Sequence, residues 1–250
     1  MEAQQQMIDV IANNLANVNT TGFKRSRASF EDLLYETIQG ARVEAPQQQQ
    51  ALAPVQIGKG VRLSAVMRLH TQGSPTQTGR TLDLAIQGDG FFQVQMPDGS
   101  TGYTRDGTFT LSDTGAIVTA DGYPLVPGLA IPSDAQNLSI STSGIVTITN
   151  TGGKTTQLGR IELARFINPS GLEAVGQNLY TETSASGDPM RGTPQSTNFG
   201  SLLQGSLESS NVDIVQEMTD MISAQRAYEI NAKAVQTGET MMDDINALIR

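Results

Sequence analysis

Cysteine and tryptophan are absent from the chain, and histidine occurs once, at His70. Without thiols there is no disulfide framework, thiolate zinc site or cysteine nucleophile. A single imidazole removes most catalytic and metal-binding constellations as well. The lack of cysteine is silent on compartment, because such a chain is equally safe in oxidising and reducing surroundings. Aromatics make up only 5% of residues, so a core must rest on Val, Ile, Leu, Ala and Met. No apolar run approaches the roughly 20 residues that span a bilayer, and the N-terminus shows neither the basic nor the apolar region of a signal peptide. The sequence therefore reads as soluble, without a Sec-type export signal. Positive charge is scarce: 16 Lys and Arg against 25 Asp and Glu leave a net charge of -9. That balance excludes a nucleic-acid footprint, which needs clustered cations, and disfavours anionic membranes.

What is present, in 250 residues, is enough for one or two compact units. Met1, Ile8, Ile11, Leu15 and Val18 fall on one stripe and predict an amphipathic helix over Met1–Val18. It runs out in Asn17-Val18-Asn19-Thr20-Thr21-Gly22, whose side chains compete for backbone hydrogen bonds. A second short helix is expected over Phe30–Ile38. Residues 40–60, with Pro46, Gln47 to Gln50 and Pro54, have no period and read as extended chain. From Val61 to Tyr180 short β runs such as Leu82–Ile86, Phe91–Val94 and Gly144–Ile148 alternate with turns such as Pro97-Asp98-Gly99 and Asp113-Thr114-Gly115, about every ten residues. Residues 181–201 read again as irregular. Helix resumes near Asn211, capped by Ser210 or Asn211, and continues to Arg250, a span of about 39 residues and 58 Å.

This last helix carries more apolar surface than one partner can cover. One stripe holds Ile214, Met218, Met221, Tyr228, Ala232 and Val235, and another holds Ile230, Ala234, Met241, Ile245 and Leu248. Helical ends with excess apolar face suggest polymerisation through those ends. A closed bundle packed on the β region fits the same pattern.

Individual motifs point to turns rather than chemistry. Gln87-Gly88-Asp89-Gly90-Phe91 lacks the third Gly of a dinucleotide fingerprint and the Lys-Ser/Thr of a P-loop, so it is read as a tight strand-to-strand turn. His70 has no acidic or thiol neighbour in sequence and is read as a surface or interface residue. Asp83, Asp89, Asp98, Asp106, Asp113 and Asp121 could pair as acid and base, but most stand beside Gly in turn contexts. Glu239, Asp243 and Asp244 form a solvated helix face, with Arg250 nearby. No catalytic, cofactor-binding or metal site, and no cofactor, is expected.

Several longer segments resemble the flagellar rod and hook axial protein family. They are Ala12-Asn13-Asn14-Leu15-Ala16-Asn17-Val18-Asn19-Thr20-Thr21-Gly22-Phe23-Lys24, Asp83–Phe92, Tyr103–Phe109, Asn178-Leu179-Tyr180, Leu207-Glu208-Ser209-Ser210-Asn211-Val212-Asp213 and Gln225–Lys233. Within that family the length, Phe30-Glu31-Asp32-Leu33-Leu34-Tyr35 and the linker ending Gln56–Val61 fit the stiff distal rod better than the hook or the proximal rod. The family's usual short apolar helical stretch ahead of the position of Met1 is missing from this chain.

The resemblance implies a non-enzymatic α+β subunit with an antiparallel β centre, and N- and C-terminal helices in a coiled-coil-like layer joined by extended linkers. The expected partition is 1–38 with 205–250 as a terminal helical assembly domain, 39–75 with 181–204 as linker, and 76–180 as a β-rich outer domain. It further implies export by the flagellar type III apparatus and helical self-assembly into the rod that spans periplasm to outer membrane. Proximal rod proteins, the hook protein and the peptidoglycan and outer-membrane ring proteins would be its partners, with no nucleic acid and no bilayer insertion. Asn13, Asn14, Asn17, Gly22, Phe23 and Lys24 would shape the helix exit. Leu15, Val18, Met218, Ile222, Ile230 and Met241 would pack the inner layer, and Arg226 and Lys233 would make polar contacts between subunits or an exposed pair within the chain. The rivals are a hook or proximal rod subunit, a secreted wall-binding or wall-hydrolysing β domain, and a monomeric binding module.

Overall fold

The computed structural model describes residues 1–39, 42–43, 51–52 and 55–248. The chain divides into two compact units, one of Met1–Asn13, Ser26–Met67 and Val215–Arg250, the other of Asn14–Arg25 and Arg68–Ile214. Helices lie at the two ends of the described chain and the region between is mainly antiparallel β, so the α+β class holds.

In the first unit, helix α1 (Glu2–Ala16) buries Ile11 and leaves Met1 exposed. The helix expected over Phe30–Ile38 does not form. Instead β1 (Ser26–Asp32) and β2 (Tyr35–Gln39) begin a ribbon. The short β3 (Arg42–Val43) and β4 (Ala51–Leu52) follow, then β5 (Val55–Gly58) and β6 (Val61–Arg68). The pairs nest: β1 with β6, β2 with β5 in register Tyr35↔Gly58 and Glu36↔Ile57, and β3 with β4. A helix of nine residues would have been marginal alone, whereas Phe30, Tyr35, Thr37 and Ile38 favour strand and find partners some twenty residues on. Within the span 40–60, read as extended chain, Val55–Gly58 is strand and pairs with β2. The Gln47–Gln50 tract lies outside the described residues. Helix α2 (Ile214–Leu248) has 35 residues, hence a length of about 52 Å. Arg250, expected beside Asp243 and Asp244, lies outside the described residues. No described helix is long and apolar enough to cross a membrane.

The second unit is a β domain. β7 (Pro75–Gln77) and β8 (Leu84–Gln87) lead in, and β9 (Phe91–Gln95) and β10 (Thr101–Thr104) form a hairpin. β11 (Phe109–Leu111) pairs with β12 (Ile117–Thr119), and β13 (Leu125–Val126) adds to β9. β14 (Ala135–Ile140), β15 (Ile145–Asn150) and β16 (Thr155–Arg160) make an antiparallel meander. β17 (Leu163–Arg165), β18 (Glu173–Gly176), β19 (Leu179–Thr181) and β20 (Met190–Gly192) complete a sheet ordered β18-β19-β10-β9-β17-β20. The chain leaves by β21 (Ser201–Gln204) and β22 (Ser206–Glu208), which pair with β8 and β7. Residues 181–201, read as irregular, therefore contribute one edge strand.

The period-2 alternation of strands gives this central sheet two apolar faces. Phe92, Val94, Leu163 and Leu179 point into one cluster with Leu84, Ile86, Phe109 and Ile148. Their neighbours Phe91, Ala164 and Tyr180 point into the other, with Tyr103, Phe166 and Leu172. Each fully buried Leu, Ile or Phe stabilises by about 1.5–3 kcal/mol. The Gln87–Phe91 turn connects strands that do not pair with each other: it carries the chain from the β8–β21 ladder into the central sheet.

Candidate functional site

Three passes of chain converge in the second unit: residues 22–25 leaving α1, residues 69–74 entering the β domain, and residues 207–211 leaving it. After Ala16 the helix tightens, with Asn17 N donating to Asn14 O at 3.1 Å and Val18 N to Leu15 O at 3.3 Å. Gly22 then turns at φ +66°, and a Cβ there would lie 2.7 Å from the Arg105 carbonyl carbon, so only glycine fits. Its N–H donates to Glu208 O at 2.8 Å. Thr21 Oγ1 donates to Asp106 Oδ1 at 2.9 Å, and Asn178 Nδ2 donates to Asp106 Oδ2 at 3.3 Å.

Two side chains lock the convergence. The Glu208 carboxylate, 2% exposed, accepts from Lys24 Nζ at 2.5 Å, Gly73 N at 2.9 Å and Arg105 Nη1 at 3.4 Å. The Asn211 amide donates to Leu69 O at 2.8 Å and to Thr71 Oγ1 at 2.8 Å, and its oxygen accepts from Arg25 N at 2.7 Å. Asn211 is thus a bridge between passes and not the cap of α2, which starts at Ile214. Gly73 is required by close packing, because a Cβ would sit 1.9 Å from Ser209 O.

The electrostatics are lopsided. Lys24 is 0% and Arg105 4% exposed, and both share one carboxylate. Burial pushes the Lys24 ammonium below its ordinary range, with Glu208 pulling the other way. Burial likewise lowers Arg105, opposed by Glu208 and Asp89. The Arg105 guanidinium lies over Phe91, 5.1 Å from the ring centroid, and Arg68 lies over Tyr180 at 5.6 Å. His70 packs edge-on against Phe91 at 5.6 Å and Tyr180 at 5.5 Å. It is half-buried, where a surface or interface residue was expected. Burial first, then the charges of Lys24, Arg105 and Arg68, hold its imidazole down to about 4, so it is neutral at neutral pH.

The sequence-assigned residues do not form one site. Asn14, Gly22 and Lys24 are buried in the second unit, Leu15, Asn17, Val18 and Phe23 are half-buried, and Asn13 is exposed. Lys24, read as shaping the helix exit, spends its charge inside the fold on Glu208. Met218 (51%), Ile222 (49%), Ile230 (69%) and Met241 (63%) are exposed on α2, as are Arg226 and Lys233. Turn roles hold for Asp98, which accepts from Ser100 N at 2.9 Å, and Asp106, which accepts from Thr108 N at 3.1 Å. Asp83 is 1% exposed and accepts from Thr78 Oγ1 at 2.6 Å. Glu208 and Arg105 were not singled out from sequence. The legible signal is an arginine, Arg105, directly after the buried strand Thr101–Thr104.

Lys24, Arg105 and Glu208, which meet here, each lie in a family-like segment. Residues 1–24 match the family described as "Flagella basal body rod protein", residues 85–148 "Flagellar hook protein FlgE/F/G D1 domain", and residues 203–248 "Flagellar basal body rod FlgEFG protein C-terminal". The flagellar basal-body rod protein FlgG of Caulobacter vibrioides is 47% identical over 99% of this chain and 95% of its own. That of Borreliella burgdorferi is 46% identical over 100% and 96%, and that of Bacillus subtilis 41% over 100% and 96%. The chain belongs to the FlgG family of flagellar basal-body rod proteins. Its role is that of a structural subunit of the flagellar distal rod. In this family member, the Asn-rich exit of α1, the Asp106 turn and the Leu207–Asn211 segment are the parts of one clasp that closes the β domain where the chain enters and leaves it.

Proposed function

We propose that the chain is a non-enzymatic subunit that polymerises helically through its terminal helices into a rigid shaft carrying torque from motor to hook. The observation that carries this reading is the apolar surface left on α2: Val215 (74%), Met218 (51%), Ile230 (69%), Met241 (63%), Met242 (67%) and Ile245 (54%) are exposed along its length. A helix of that length needs tertiary partners, and neighbouring copies supply them in a coiled-coil-like layer. Leu34 (87%), Ile38 (64%) and Ile57 (56%) on the ribbon call for cover of the same kind.

In this reading 1–38 with 205–250 form the assembly layer, 39–75 with 181–204 the intermediate region, and 76–180 the outer domain. Asn13, Leu15, Val18, Phe23, Met218, Ile222, Arg226, Ile230, Lys233 and Met241 face neighbouring copies. The shaft spans the periplasm, reached through the flagellar type III apparatus, and meets proximal rod proteins, the hook protein and the ring proteins. Two measurements test it. Circular dichroism of the dilute monomer should show helix content that rises on assembly, and electron microscopy of the polymer should show straight tubes. Full cooperative helix in the monomer, or curved flexible tubes, refutes it.

A further inference from the structure

A cavity of about 170 Å³ in the β domain is lined by His70, Asp89, Phe91, Arg105, Arg165 and Phe166. Arg105 is buried, shares Glu208 with Lys24, and has no hydrogen-bond partner at Nε among the described residues. Arg165, half-buried, is held only at 3.6 Å by Asp89, whose side chain is 74% exposed. Lys24, Arg105 and Arg165 therefore face two carboxylates, Glu208 and Asp89, and His70 adds no counter-charge. The cavity is a positive site, walled by two phenyl rings, in a chain whose net charge is -9. Guanidinium groups select planar carboxylates by paired N–H donors.

We propose that this cavity receives an acidic side chain from a second copy of this chain, its carboxylate engaging the Arg105 and Arg165 guanidinium groups and displacing Asp89. The inference rests on the polymer reading above. A second copy is favoured over a free organic acid by Ile167, which lines the same cavity while 80% exposed. A neighbouring chain covers that apolar surface, whereas a small acid leaves it in water. Charge complementarity points the same way, because every copy carries excess carboxylates and polymerisation raises their local concentration.

The test uses rods isolated from cells making the Arg165→Lys variant, treated with a carbodiimide that couples an amine to a touching carboxylate, alongside the dilute monomer. Mass spectrometry of the rods should find the introduced amine joined to an acidic peptide of another copy, and of the monomer joined only to the Asp89 peptide. A link to Asp89 alone in both overturns the proposal. In a second arm, Arg165→Gln should raise the critical concentration for polymerisation about fivefold, the effect of roughly 1 kcal/mol at a partly buried ion pair. An unchanged critical concentration overturns the proposal. If that result is accompanied by binding of N-acetylglutamate to the monomer, the cavity belongs to a small-molecule carboxylate. Wild-type chain that forms no tubes refutes the polymer reading itself, and this inference with it.

Discussion

Replacing Glu208 by Gln should destabilise the β domain far more than replacing Lys24 by Met, although the two groups are partners in one ion pair 2.5 Å apart. The asymmetry follows from the charge count. Glu208 is the carboxylate that both Lys24 and Arg105 touch, and all three are almost wholly buried. Glu208→Gln leaves two cations repelling each other in the interior without a counter-ion, and breaking a buried pair in this way costs about 3–5 kcal/mol. Lys24→Met leaves Arg105 and Glu208 as a balanced pair and fills the ammonium's channel with a thioether of similar length. Its loss is then the Nζ bonds to Glu208 and to Thr71 O, about 1–2 kcal/mol. At roughly 2–4 °C per kcal/mol for a domain of this size, the melting temperature should fall by about 6–20 °C for Glu208→Gln and about 2–8 °C for Lys24→Met. With no Trp, the transition is followed by near-ultraviolet circular dichroism of the buried Tyr103 and Tyr180. The double variant should cost less than the two single losses together, because Glu208→Gln then strands one cation instead of two. A Lys24→Met loss equal to or larger than that of Glu208→Gln would refute the argument that excess buried positive charge governs this site.

The remaining predictions concern the same clasp. His70 is held neutral down to about pH 4, while in the unfolded chain it takes a proton near 6.5. The unfolded state thus binds more protons between those values, and stability must fall as pH drops through that window, by up to about 3 kcal/mol. In His70→Phe, urea midpoints measured from pH 7 to pH 4 should lose that component and keep only the shared carboxylate slope; identical slopes contradict it. Gly73→Ala should cost about 1–3 kcal/mol in urea unfolding, since its methyl group meets the Ser209 carbonyl. Asn211→Ala removes the bonds to the Arg25 N–H and the Leu69 carbonyl, while Thr71 O keeps Lys24 Nζ. It should cost about 1–3 kcal/mol and speed amide exchange at Arg25 without altering α2 helicity, whereas a capping role would lower helicity first.

Local signals made the sequence legible where structure is local. The α1 stripe, the Gly-punctuated strands and α2 follow from period and turn chemistry, and the Asn17–Gly22 exit from side chains that compete with the helix. The ribbon strands β1 and β2 were not legible, because they are specified by partners distant in sequence, Tyr35 by Gly58 and β1 by β6, and Phe30–Ile38 alone satisfies a helix as well. Asn211 was misassigned for a related reason. A Ser-Asn pair ahead of an amphipathic run has the form of a cap, and only the approach of Leu69 and Thr71 shows that its amide is already used.

The family-like segments carry two kinds of residue, buried and exposed. Gly22, Lys24, Asp106, Glu208 and Asn211, all within family-like segments, spend their side chains or their lack of one on closing the β domain around its own entry and exit. Such closure is a product of the tertiary fold, because Lys24 and Glu208 are far apart in sequence and nothing local brings them together. The exposed faces of α2 and the ribbon carry apolar residues, and apolar packing tolerates exchange of Ile, Met, Leu and Val at small cost. A buried carboxylate between two cations admits no equivalent exchange, so the buried residues of these segments report how each subunit closes, and the contacts proposed between copies fall to residues on their exposed faces, such as Arg226 and Ile230.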